Sequence, residues 1–79
     1  MMFNLSEIPQ STIVLEPQSI FNAGIIRFDG VLYYSLSKLI DSFLDKTELE
    51  YTDIIEHLFY NTWGYEPKDW PILIDDLNE

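Results

Sequence analysis

The spacing of hydrophobic residues changes several times along this 79-residue chain, and each change marks an element. Thr12, Ile13, Val14 and Leu15 are a β-favouring run that Pro17 stops, so "STIVLEP" predicts a short strand. Pro17 suits the first position of a helix, where its missing N–H costs nothing, and Glu16 complements the helix dipole. Phe21, Gly24, Ile25 and Phe28 recur at i, i+3, i+4 and i+7, which predicts a helix through "PQSIFNAGIIRF", with Gly24 permitting close packing. Asp29-Gly30 reads as a turn and "VLYY" as a strand. Ser35 is a good N-cap for a helix with Leu36, Leu39, Ile40, Phe43 and Leu44 on one face. Lys38, Asp41, Ser42 and Asp45 fall on its other face.

A further helix is expected from about Tyr51 to Thr62. Its buried stripe is Tyr51, Ile54, Ile55, Leu58 and Phe59, continued by Thr62 or Trp63. Glu50, Asp53, Glu56, His57 and Tyr60 fall on the opposite side. Gly64 ends this helix, and Asn61 is placed to satisfy its last carbonyls. "PILI" predicts an edge strand, because Pro71 can only begin a strand or lie at an edge. "DDLNE" reads as a frayed acidic tail. The order β-α-β-α-α-β predicts an α+β fold: one compact domain, with a small three-stranded sheet packed against two or three helices. Its core spans about residues 11–74, with frayed ends at 1–10 and 75–79.

Composition narrows the means of stabilisation. A chain this short is near the limit for a single core. No cysteine is present, which excludes disulfides and thiolate metal sites, and one His makes a structural zinc site an unusual choice. The chain is 47% hydrophobic and 15% aromatic, so a dense core is the expected solution, and a homodimer is compatible with it. The N-terminus lacks the basic and apolar regions of a signal peptide, and no apolar run approaches the roughly 20 residues of a membrane span. A cytoplasmic protein without membrane contact is expected.

Charge changes the picture more. Fourteen acids face four bases, and the imbalance is concentrated: residues 1–46 carry net −2, residues 47–79 net −8. Such a field repels nucleic acid and attracts basic surfaces. Arg27, Lys38, Lys46 and Lys68 are scattered, so direct nucleic-acid binding is not expected. The reverse arrangement is: carboxylates standing where nucleic acid carries phosphates. Duplex DNA has one charge per about 1.7 Å of axis, whereas helical carboxylates at i, i+3 rise about 4.5 Å per step. One helix is therefore a sparse mimic, and nearby loops must add charge. Glu48, Glu50, Asp53 and Glu56, with Glu66, Asp69, Asp75 and Asp76, can supply it.

Catalytic parts are few. A Ser–His–Asp triad would need His57, which sits among acids, and no Ser lies in a glycine-rich elbow. The three glycines are isolated, so no phosphate loop exists. Carboxylate pairs are available, but a sugar cleft needs more wall than this chain provides. Asp53, Glu56 and His57 have metal-ligand spacing on one helix, yet a second histidine is missing, and a solvated acidic face is the better reading. No enzyme activity, metal or cofactor is expected. Tyr and Trp dominate protein–protein hot spots. Trp63, just past the helix, is assigned to structure and Trp70, among carboxylates, to function. The expected partner-binding set is Glu50, Asp53, Glu56, Tyr60, Glu66, Asp69, Trp70, Asp75 and Asp76.

"LEPQSIFNAGII" (15–26), "YYSLSKLIDSFL" (33–44) and "EYTDIIEHLFYN" (50–61) resemble, in that order, a small uncharacterised family of prokaryotic and phage proteins. The matching positions are Leu15, Glu16, Pro17, Phe21, Asn22, Lys38, Ile40, Tyr51, Glu56, Tyr60 and Asn61. Ile54 stands where Ala or Val is usual, and "TWGYEPKDW" replaces a short Gly-Ala-Tyr-like turn. The resemblance implies a compact domain in a phage or mobile-element setting and transfers no site residue. With the charge, it predicts an inhibitor that binds a basic nucleic-acid-handling host or defence protein, as anti-CRISPR proteins and other DNA mimics do. An immunity or antitoxin-like module, or a general protein-interaction module, is the alternative.

Overall fold

The computed structural model describes residues 8–64 and 67–77. A hairpin organises the sheet. Strand β1 (Ile25–Asp29) runs antiparallel to β2 (Val31–Ser35), joined by Gly30 alone. Gly30 adopts φ 77°, a left-handed conformation that only glycine takes readily. Helix α2 (Leu36–Lys46) and helix α3 (Tyr51–Glu56) then cross over, and β3 (Ile72–Ile74) pairs parallel to β2. The order is β1-β2-β3, so β3 is an edge strand, as Pro71 requires. The α+β architecture of a three-stranded sheet with three helices follows.

The helix predicted through residue 28 is short. Helix α1 (Gln18–Phe21) passes through a single 3-10 turn, Asn22–Gly24, and the chain then enters β1. Pro17 is its N-cap rather than its first helical residue. The cause is a bulge: Ile25 opposes Tyr34 while Arg27 opposes Tyr33, so Ile26 is an extra residue. Ile25 and Phe28 therefore face the core although three residues apart, a spacing that imitates a helix turn. Close packing at Gly24 is real, because a side chain there would collide with Leu39.

Residues 12–15 form no strand either. Leu15 donates its N–H to the Tyr34 hydroxyl, 3.1 Å away, instead of to a sheet neighbour. Burial pushes the Tyr34 phenol above its ordinary pKa, and the Leu15 N–H partly opposes that shift. Tyr34 lies at the centre of an aromatic chain. It meets Phe21 edge-on at 6.0 Å and Trp63 at 5.9 Å, and Phe21 meets Phe43 at 5.5 Å. Such T-shaped pairs add stabilisation beyond the buried area.

Helix α2 buries Leu36, Leu39, Ile40 and Phe43 as expected. Leu44, expected in the core, is 48% exposed, and Ser42 is buried in its stead. The Ser42 hydroxyl donates to the Ile20 carbonyl at 2.7 Å, which ties α1 to α2. Two groups cap the start of α2. Ser35 Oγ accepts from the Lys38 N–H at 3.2 Å, and Asp76 Oδ1 accepts from the Ser37 N–H at 2.9 Å. Asp76 also accepts a short bond from the Ser35 hydroxyl. The expected frayed tail is thus held to the helix at Asp76.

Helix α3 does not keep its pitch. After Glu56 it widens into a π segment, His57–Thr62, closed by Trp63 N–H donating to Leu58 O at 2.8 Å. The wider turn changes which side chains face inward. Leu58 and Trp63 are buried, but Phe59, expected inside, is 41% exposed. Tyr51, also expected inside, is 49% exposed on the first turn of α3, ahead of the π segment. His57, expected outside, is half-buried with its ring edge-on to Phe43 at 5.7 Å. The opposite sheet face is open and carries Ile26, Ile72 and Ile74, with Arg27 over the Tyr33 ring and paired to Asp29 at 3.2 Å. Among the described residues no helix is long and apolar enough to cross a membrane.

Candidate partner-binding site

The N-terminal part of the acidic third is a helix surface. Glu50, Asp53, Glu56 and Tyr60 are all exposed on the Tyr51–Thr62 helical stretch and its N-cap, and Tyr60 is the barest of the large side chains at 78%. No lysine or arginine occurs between Glu48 and Asn61. Among the described residues the Asn61 amide meets His57 Nδ1, 3.5 Å away, rather than a helix-end carbonyl.

Next to this surface the chain turns tightly. Trp70 donates its backbone N–H to Pro67 O at 3.1 Å, closing a β-turn with Lys68 and Asp69 at its centre. Asp69 has φ 66°, as the third position of a type II turn requires, although glycine or asparagine is the usual occupant. Both indoles are pinned by the same few residues. Trp63 Nε1 donates to Pro71 O at 2.8 Å, and Trp70 Nε1 donates to Thr62 O at 3.0 Å. Trp63 is buried at 8% exposure, consistent with a structural role, while Trp70 is half-buried.

These contacts open a cleft of about 500 Å³ walled by Phe59, Trp63, Trp70 and Ile72, with Pro67 and Asp69 at its edge. That volume is in the range of small-ligand and side-chain pockets. The other face of the Trp70 region borders a second hollow of about 490 Å³ that includes Leu15, Glu16, His57 and Asn61. Trp70 is common to both.

Of the residues expected to bind a partner, the structure joins Asp69 and Trp70 in one cleft. It leaves Glu50, Asp53, Glu56 and Tyr60 exposed on the helical stretch. Glu66 lies outside the described residues. Asp75 and Asp76 sit at the far end of β3. Asp75 accepts from the Leu77 N–H at 3.3 Å, and Asp76 serves α2. The hydroxyl of Ser35, foremost, and then the Ser37 N–H hold the Asp76 carboxyl below its ordinary pKa. Phe59 and Ile72 were not expected in a site. The pitch change that turns Phe59 outward has no sequence marker, whereas Ile72 next to Pro71 on an edge strand could have been noted.

Among the described residues no group of three or more His, Asp or Glu is placed to hold a metal ion. The cleft instead offers ring faces and a carboxylate. No family model, curated protein or solved structure matches this chain.

Proposed function

We propose that this protein is a non-enzymatic binding module whose acidic C-terminal half occupies the basic surface of a nucleic-acid-handling protein and blocks it. The observation that carries the reading is the pairing of an aromatic cleft (Phe59, Trp63, Trp70) with an exposed helix surface bearing Glu50, Asp53 and Glu56 and no lysine or arginine. Aromatic anchors bordered by charge are the composition of an interface that is steered electrostatically and held by burial. A host or defence protein in a phage or mobile-element setting fits the motif order of residues 15–61.

The test is an affinity column of the chain run against lysate of its native host, beside a column of the Asp53→Lys, Glu56→Lys variant. Proteins retained by the first and lost from the second are eluted with salt and assayed for nucleic-acid binding. Elution over about 50 to 200 mM salt is expected, and added wild-type chain should displace nucleic acid from the eluted protein. Equal retention by both columns, or retention indifferent to salt, would sink the proposal.

A further inference from the structure

The cleft between the π segment and β3 has a chemical bias that narrows its occupant. Among its described wall residues, the side-chain hydrogen-bond donors are the two indoles, and both N–H groups are committed, to Pro71 O and Thr62 O. Two of the lining residues, Pro67 and Pro71, have no backbone N–H either. The described side chains thus leave an occupant aromatic surface and the Asp69 carboxylate. Asp69 supplies the charged acceptor. It is exposed, and no ion pair engages it among the described residues, although Lys68 adjoins it.

The backbone at Asp69 points the same way. Its φ of 66° lies in the left-handed region, where a residue with a Cβ is disfavoured and Gly or Asn is more at ease. Nothing in the turn requires a carboxylate there, since the bond that closes it runs between Trp70 N–H and Pro67 O. Aspartate tolerates this region better than most side chains, yet Gly or Asn would close the same turn, so the turn leaves the carboxylate open to another use.

We infer that the cleft takes a single arginine side chain of the partner protein, its guanidinium stacked on the aromatic wall and bonded to the Asp69 carboxylate. A guanidinium is donor-only, planar and weakly hydrated, and it stacks on aromatic faces while pairing with a carboxylate. Those properties complement a cleft whose free groups are acceptors and rings, in a part of the chain with net charge −8 over residues 47–79. An ammonium shares the charge but not the plane, and an apolar residue would leave Asp69 unused. This inference rests on the reading of the acidic C-terminal half as a protein-binding face, and it adds the anchor residue on the other side.

The direct experiment is a titration of the full chain with the capped tripeptide Gly-Arg-Gly at constant ionic strength, followed by the two indole N–H resonances and the backbone resonances of residues 59–73. Parallel titrations use Gly-citrulline-Gly, which keeps shape without charge, and Gly-Lys-Gly. Saturable shifts confined to the Trp63, Trp70 and Phe59 region with the arginine peptide, several-fold weaker with lysine and absent with citrulline, are expected. Asp69→Asn, which suits the same backbone, should weaken the arginine response about tenfold while leaving the melting temperature unchanged or higher. Phe59→Ala, at an exposed position, should weaken it as well. Shifts confined to Glu50, Asp53 and Glu56, equal responses to lysine or citrulline, or an undiminished response in Asp69→Asn would each overturn the inference. Failure here with salt-dependent capture intact leaves the proposed function standing; cleft binding without any captured partner removes that function and keeps the cleft's preference.

Discussion

The two ends of β3 carry the same chemistry to opposite purposes. Before the strand, Asp69 sits at a left-handed turn position, and among the described residues no ion pair engages its carboxylate. After it, Asp76 has its carboxylate engaged by the Ser35 hydroxyl and the Ser37 N–H at the start of α2. Both belong to the acidic stretch that reads as one charged surface in the sequence. Only the first is available to a partner. The second satisfies donors that a helix start leaves open, and its charge complements the dipole. A carboxylate count therefore overstates the binding face by the acids that the fold consumes.

The sharpest way to break the comparison is to remove what holds the first end together. Trp63→Ala deletes a buried indole that packs on Tyr34 and anchors Pro71. A loss of about 3–5 kcal/mol is expected, enough to unfold much of so small a domain, read by urea or thermal denaturation. At the second end, Asp76→Ala should cost about 1 kcal/mol as a lost cap, and partner capture should not change. A proportional loss of capture would mean that Asp76 also meets the partner.

Acid titration separates the two ends further. The folded-state pKa of Asp76 is depressed, so its contribution is present above its ordinary value of 3.8 and is lost as pH falls through the lower folded value. Wild type should therefore lose more stability than Asp76→Ala across that interval, measured by denaturant midpoint. Tyr34 has the opposite sign. Its raised pKa means stability is intact below its ordinary 10.0 and declines as pH climbs toward the folded value. The smallest change is expected at the free end: Asp69→Asn should alter stability by no more than about 0.5 kcal/mol, in the stabilising direction if at all. A clear destabilisation would show that Asp69 serves the fold as Asp76 does.

Much of this was legible in the chain. The α2 stripe, the Ser35 cap, the edge placement of β3, the role of Trp63 and the exposed acids of the α3 stretch all follow from period and turn chemistry. Three errors had one kind of cause, an extra residue that shifts phase. The bulge at Ile26 puts Ile25 and Phe28 on one face, and periodicity alone cannot tell that from a helix turn. The π segment does the same to Phe59 and His57. Ser42 falls outside the apolar stripe by spacing, and the carbonyl of Ile20 that accepts its hydroxyl makes its burial reasonable. Asp76 could not be assigned to α2 from a distance of 39 residues to Ser37, because a cap supplied across the sheet leaves no local trace.

The bulge has a consequence for how these molecules behave in company. An open sheet ends in strands with unpaired N–H and C=O groups, and a bare apolar face makes neighbouring copies stack more readily. Here Ile26 interrupts the outer rim of β1, while β3 is three residues long and stands between Pro71 and Asp75. Each rim is a poor template for another chain, and a net charge of −10 keeps copies apart. That last safeguard vanishes near the isoelectric point of about 4.1, so cloudiness on acidification should be greatest there, and replacing Ile26 by Lys should delay it. Among the described residues nothing covers the face bearing Ile26, Ile72 and Ile74, and its borders are what disfavour edge-to-edge growth.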